Sequence, residues 1–160
     1  MPHRTSAGLM MYRRRADELE VLLVHPGGPF FKNKDLGTWT VPKGEPAEGE
    51  EMLATARREF REETGIDAGD APLIPLGEVK QKAGKTVHAW AFEGDCDPAT
   101  LTCNTFKVQW PPKSGQWKSF PEVDAYGFFD LDIAREKLNP AQVAFLDRLL
   151  AALRPGTRIS

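Results

Sequence analysis

Residues 57–66 read RREFREETGI and place Glu59, Glu62 and Glu63 within little more than one helical turn. With Glu59 set at zero on a helix, Glu63 falls about 40° to one side and Glu62 about 60° to the other. The three carboxylates therefore share a face. Leu53, Ala56 and Phe60 follow at about 60–120°, so the acids border the seam that packs on the rest of the protein. Arg57 and Arg61 project to the opposite side. Like charges at i and i+4 cost about a few tenths of a kcal/mol. A solvated, salt-bridge-laced helix is the plain alternative, but such a helix intersperses its signs. Hard oxygen donors crowded on one face suit Mg²⁺ or Mn²⁺, completed by carbonyls, water and substrate phosphates. The chemistry to expect from the shared face is the binding of a divalent cation.

The chain that carries these acids has 160 residues, 41% hydrophobic and 28% charged, with a formal net charge of −2. That suits one domain over residues 1–160, with a core of its own. It gives no overall pull toward nucleic acid or an anionic membrane, so no DNA or membrane partner is expected. Affinity for anions must come from a local group of cations. Cys96 and Cys103 lack zinc-ligand spacing and read as ordinary thiols rather than a disulfide framework. Leu9, Met10 and Met11 are too short a patch for a signal-peptide core, and no run approaches the roughly 20 apolar residues of a membrane span. A soluble cytoplasmic protein is expected, as a monomer or a homodimer.

Several elements must position the acids. Residues 7–14 and 21–25 read as strands, followed by a long loop, PGGPFFKNKDLG, of the kind that often carries function. GTWTVPKG is a short extended piece ending at Pro42. The spacing predicts a helix over 49–64, with acids in its first turn and Gly65 as its stop. Residues 73–82 and 87–95 are strand candidates joined through Ala83-Gly84-Lys85, and 96–103 is irregular. FKVQW reads as a strand, PPKSGQWKSF as a turn-rich excursion, AYGFFDL as a final strand, and 132–137 as a short helix. A last helix starts with Asn139 as N-cap, Pro140 at its first position and Gln142 completing a capping box. Val143, Leu146, Leu149, Leu150 and Leu153 form its core stripe, and Arg154-Pro155-Gly156 ends it.

Upstream of the acids, Gly44, Glu50 and then Arg58-Glu59-Phe60, Glu62-Glu63 and Gly65-Ile66 stand at fixed intervals. That spacing resembles the Nudix box over residues 44–66 in every position, and the chain resembles the Nudix hydrolase family. The resemblance implies an α/β fold, an α/β/α sandwich around a mixed β-sheet. It also implies a divalent-metal-dependent pyrophosphohydrolase acting on a nucleoside diphosphate linked to another group. Within the family the resemblance is to the diadenosine-tetraphosphate hydrolase group, through Ala7-Gly8-Leu9, Arg13-Arg14, Trp39 to Gly44, and Lys85-Thr86-Val87 leading to Trp90. Loop 26–36 and segment 104–121 look longer than that group's plan. The substrate expected is a dinucleoside polyphosphate or a (d)NTP.

Carried over residue by residue, the resemblance implies that Glu59, Glu62 and Glu63 are metal ligands and that one of them holds or deprotonates the attacking water. Arg58 pairs with Glu50 to lock the loop on the helix, and Gly44 allows a tight bend. The Lys43 carbonyl is a further candidate ligand, as is Glu122 from outside the box. Lys43, Lys85 and Trp39 are candidate substrate contacts. Lys32, Lys34, Lys80 and Lys82 could also meet phosphate, and Phe30, Phe31, Trp110 or Trp117 could stack on a base. His25 and His88 read as structural. Two other functions share the sandwich. One is a non-catalytic nucleotide sensor, against which the intact acidic set argues. The other is an isomerase of the isopentenyl diphosphate type, which needs a reactive cysteine in its site.

Overall fold

The computed structural model describes residues 4–154. The chain opens with strand β1 (Arg4–Arg15) and β2 (Glu18–Pro26), joined by a tight turn in which Ala16 and Asp17 both take positive φ. Then come the two-residue strand β3 (Lys43–Gly44), helix α1 (Met52–Thr64), β4 (Ile74–Gln81) and β5 (Lys85–Glu93). Strands β6 (Thr105–Gln109), β7 (Trp117–Pro121) and β8 (Val123–Asp130) lead to helices α2 (Leu131–Lys137) and α3 (Val143–Leu153). The main sheet runs β4-β5-β1-β2-β8, with β3 also paired to β1. Only β1 and β5 run parallel among these pairs, so the sheet is mixed, as expected.

Alternation along the strands builds two cores. Met10, Tyr12, Val21 and Leu23 face Ala134, Phe145, Leu146 and Leu149 of α2 and α3. Ala7, Leu9, Met11 and Leu22 face Ala56 and Phe60 of α1. A strand covered on both faces reads as a continuous apolar run, which is why LMMY and VLLV show no polar alternation. The result is the α/β/α sandwich.

The central strands are spread apart at one end by the segment before α1. Thr40 exchanges backbone hydrogen bonds with Val24 (2.9 and 3.0 Å), and the Leu9 N–H donates to the Pro42 carbonyl at 3.2 Å. Ala7 and Gly8 of β1 then pair with Gly44 and Lys43. Gly8 is required here by close approach, because a Cβ would overlap the Pro42 carbonyl oxygen.

Several expectations change. Helix α1 starts at Met52, so Glu48, Gly49 and Glu50 lie in the loop and its first turn holds no acid. The turn-rich excursion contains a real strand: β7 pairs antiparallel with β6 from Thr105↔Pro121 to Gln109↔Trp117 and forms a separate two-stranded sheet. Asn139 does cap, accepting from the Ala141 N–H, but it caps a 3₁₀ turn over Pro140–Gln142. Gln142 is fully buried and serves no capping box; its amide bonds instead to the Val41 N–H and to Gln81 of β4. Leu150 belongs to the exposed side of α3. The expected stop at Pro155 and Gly156 lies outside the described residues. No helix among those described is long and apolar enough to cross a membrane.

Candidate active site

The loop before α1 is tied to the helix by Arg58. Its Nε donates to Glu50 Oε2 and its Nη2 to Glu50 Oε1, each at 2.9 Å. Glu50 also accepts from the Ala47 N–H at 3.0 Å and the Thr55 hydroxyl at 2.8 Å. Together these bonds, the guanidinium first, hold the Glu50 carboxyl down to about 2. Arg58 Nη1 turns the other way and donates to Glu59 at 2.9 Å and to both Glu62 oxygens at 3.2 Å.

Gly44 acts through room rather than bending. Its backbone is not left-handed, and a Cβ there would overlap the Glu59 carboxylate. β3 therefore lets that carboxylate lie against the main chain. One turn on, Glu63 is buried, and its carbonyl accepts from the Tyr126 hydroxyl at 2.6 Å. Glu122 lies between the end of β7 and the start of β8. Its N–H donates to the Asn104 carbonyl and its carbonyl accepts from Gly27 N–H, both at 2.9 Å.

Glu59, Glu63 and Glu122 bring one carboxylate oxygen each to within 4.8 Å of one another. Burial, then the Glu59 charge, pushes the Glu63 carboxyl well above its ordinary range. Burial also raises Glu122, followed by the charges of Glu59 and Glu62. Lys43 is held below its usual value by burial, against the opposing pull of Glu63. Three hard, crowded, partly desolvated carboxylates are a donor set that fits a divalent cation, which would relieve their repulsion.

Glu62, expected among the ligands, is outside that converging set because its carboxylate is turned to Arg58. Lys43 and Lys85 line one cavity of about 340 Å³ together with Glu63, Glu122 and Phe31. Trp39 is not at this cavity. It packs edge-on against His25 and Phe129, with centroids 5.3 and 5.1 Å apart, and its indole N–H donates to Asp35 at 2.7 Å. Its ring is buried in the core. The His25 ring nitrogens lie 2.6 Å from Asp124 Oδ1 and from the Lys34 carbonyl, which ties the loop after β2 to β8. His88 stacks on Trp90. Neither cysteine lines the cavity, and burial raises the Cys96 thiol.

The cavity also holds groups that sequence reasoning did not assign to it: Gln81, Asn139 and Gln142. Gln142 Oε1 accepts from the Val41 N–H at 3.0 Å, and its Nε2 donates to the Thr40 hydroxyl and to Gln81 Oε1, each at 2.9 Å. A glutamine just ahead of an apolar helix was the available signal, and it also fits a local cap.

Residues 2–149 match the NUDIX domain family model, and the chain belongs to that family. The relatives are more specific. The chain is 35% identical over 99 residues to the asymmetrical bis(5′-nucleosyl)-tetraphosphatase of Sus scrofa, a match over 55% of this chain and 63% of that protein. It is 39% identical over 111 residues to Nudix hydrolase 5 of Arabidopsis thaliana, over 67% of this chain and 32% of that one. It thus spans less than two thirds of the length of these curated relatives. Among solved structures, a binary complex of C. elegans Ap4A hydrolase shares the fold with a TM-score of 0.66 at 22% identity, covering 94% of this chain and 97% of that one.

Proposed function

We propose that the chain is a divalent-cation-dependent pyrophosphohydrolase that cleaves a phosphoanhydride of a dinucleoside polyphosphate, with (d)NTPs as the nearest alternative substrates. The observation that carries this reading is the convergence of the Glu59, Glu63 and Glu122 carboxylates, two of which, Glu63 and Glu122, line a cavity together with Lys43 and Lys85. The likeness to the tetraphosphatases of pig and mouse supports dinucleoside polyphosphates over other diphosphates.

In this reading Glu59, Glu63 and Glu122 hold the cation, with Mg²⁺ the ion of choice and Mn²⁺ able to replace it. When bound, the cation supplies charge neutralisation on phosphate oxygens and a more acidic water. Lys43 and Lys85 donate to the phosphate chain and orient it. Arg58 fixes Glu59 and keeps Glu62 turned aside, while Glu50 fixes Arg58. Tyr126 anchors the main chain at Glu63.

The test is turnover of diadenosine tetraphosphate and ATP with Mg²⁺ or Mn²⁺, products being resolved by anion-exchange chromatography. Cleavage by the wild type, reduced to background in Glu59→Gln and Glu63→Gln and abolished by chelator, is expected. Activity that survives both substitutions overturns the assignment.

A further inference from the structure

The loop after β2 and the β6–β7 hairpin meet so closely that glycine is required at the seam. A Cβ on Gly27 would overlap the Pro121 carbonyl oxygen, and one on Gly28 would lie 2.8 Å from the Phe106 ring. Phe30 sits edge-on to Trp110 with centroids 5.5 Å apart, and the Trp110 backbone N–H closes the hairpin by donating to the Gln116 carbonyl at 2.9 Å.

Between loop and hairpin lies a second cavity of about 560 Å³ whose lining includes Trp110, Phe120, Lys32, Lys118 and Asn33. That size is in the range of small-molecule sites. The same two segments wall both cavities: Phe31 and Glu122 line the catalytic one, while Lys32 and Pro121, their chain neighbours, line the second. The one acid in the second cavity, Asp124, is engaged by His25 at 2.6 Å. The lysines therefore set its sign. Aromatic side chains beside cations accept a planar base and the phosphate attached to it, with little regard to which base.

We propose that this cavity is a second nucleotide subsite, which takes the distal nucleoside and adjoining phosphate of a dinucleoside polyphosphate while the scissile phosphates lie in the catalytic cavity. The inference rests on the dinucleoside polyphosphate reading and gives it a basis for preferring two bases over one.

The experiment compares kcat/KM for diadenosine tetraphosphate with kcat/KM for ATP in wild type, Trp110→Ala, Trp110→Phe and Lys118→Ala. Loss of one stacking partner lowers that ratio roughly tenfold in Trp110→Ala. Trp110→Phe recovers most of it, and Lys118→Ala lowers it through charge. An unchanged ratio in both Trp110→Ala and Lys118→Ala overturns the subsite, and thermal melts separate this from loss of folding. Calorimetric titration with adenosine monophosphate is the independent arm, with two molecules bound per wild-type chain and one per Trp110→Ala chain. Equal stoichiometry in the two overturns the subsite even if no nucleotide is cleaved, whereas absence of cleavage alone defeats the hydrolase reading.

Discussion

Arg58 grips Glu50 through two parallel hydrogen bonds of 2.9 Å, one from Nε and one from Nη2. The same guanidinium spends its remaining donors on Glu59, Glu62 and the Glu45 carbonyl. One planar cation thus joins the loop, the helix and two of the crowded acids.

Removing that fork should cost activity more than fold. Arg58→Ala frees Glu59 and Glu62 from their shared donor, and loss of a partner that orients a ligand lowers activity by about 10- to 100-fold. Arg58→Lys should do almost as badly, because an ammonium keeps the charge but cannot donate bidentately. Steady-state kinetics on both variants check this; full activity in the lysine variant would show that charge alone suffices.

The same pair makes stability depend on pH at the acid end. The folded Glu50 carboxyl sits at about 2, below its ordinary 4.5. A lowered carboxyl favours the folded state above its unfolded value, and that benefit is lost as pH falls through the folded value. The melting-temperature gap between wild type and Glu50→Gln should be constant above pH 4.5 and shrink steadily toward pH 2. A gap that does not change across this window contradicts the pairing.

Gly44→Ala probes the space in front of Glu59. The added methyl overlaps the carboxylate, so either the side chain or β3 must move. A displacement of about 1 Å at a reacting centre costs on the order of 100-fold in rate. Calorimetric titration with Mg²⁺ alongside kcat should show both weakened, with Gly44→Ala still folded by circular dichroism.

Gln142 is a structural claim that can be weighed directly. In Gln142→Met the shape is nearly kept, but the buried Val41 N–H loses its acceptor. An unsatisfied buried donor costs about 1–3 kcal/mol, readable as a lower urea midpoint. A midpoint within error of wild type would mean that another acceptor replaces it.

The parts of this fold that were legible in sequence are those whose signals are local. The apolar runs of β1 and β2 and the stop at Gly65 are set by residues close in the chain, and so is the spacing of Arg58 with its acids. What escaped depends on distant partners. β7 leaves four of its five residues exposed, so no apolar alternation marks WKSFP as a strand; only pairing with β6 defines it. Glu48 to Glu50 looked like the acidic start of a helix, but Glu50 bends back to a side chain eight positions on. Gln142 has the spacing of a capping box, yet its partner at Val41 is 101 positions away, and the buried main chain outcompeted the local cap. Trp39 follows the same pattern: a conspicuous aromatic beside the box was absorbed by the core because His25 and Phe129 meet its ring.

The segment that parts β1 from β2 also ties the fate of the site to that of the sheet. Because Thr40 and Pro42 hydrogen-bond to Val24 and Leu9, Lys43 and Gly44 cannot peel away as an ordinary surface loop would. Opening them means unzipping the centre of the molecule, so the amides of Leu9, Val24 and Thr40 should exchange with deuterium only through whole-molecule unfolding. Catalytic geometry and native structure should then vanish at one denaturant concentration, leaving no folded form from which the Lys43–Gly44 segment has come loose.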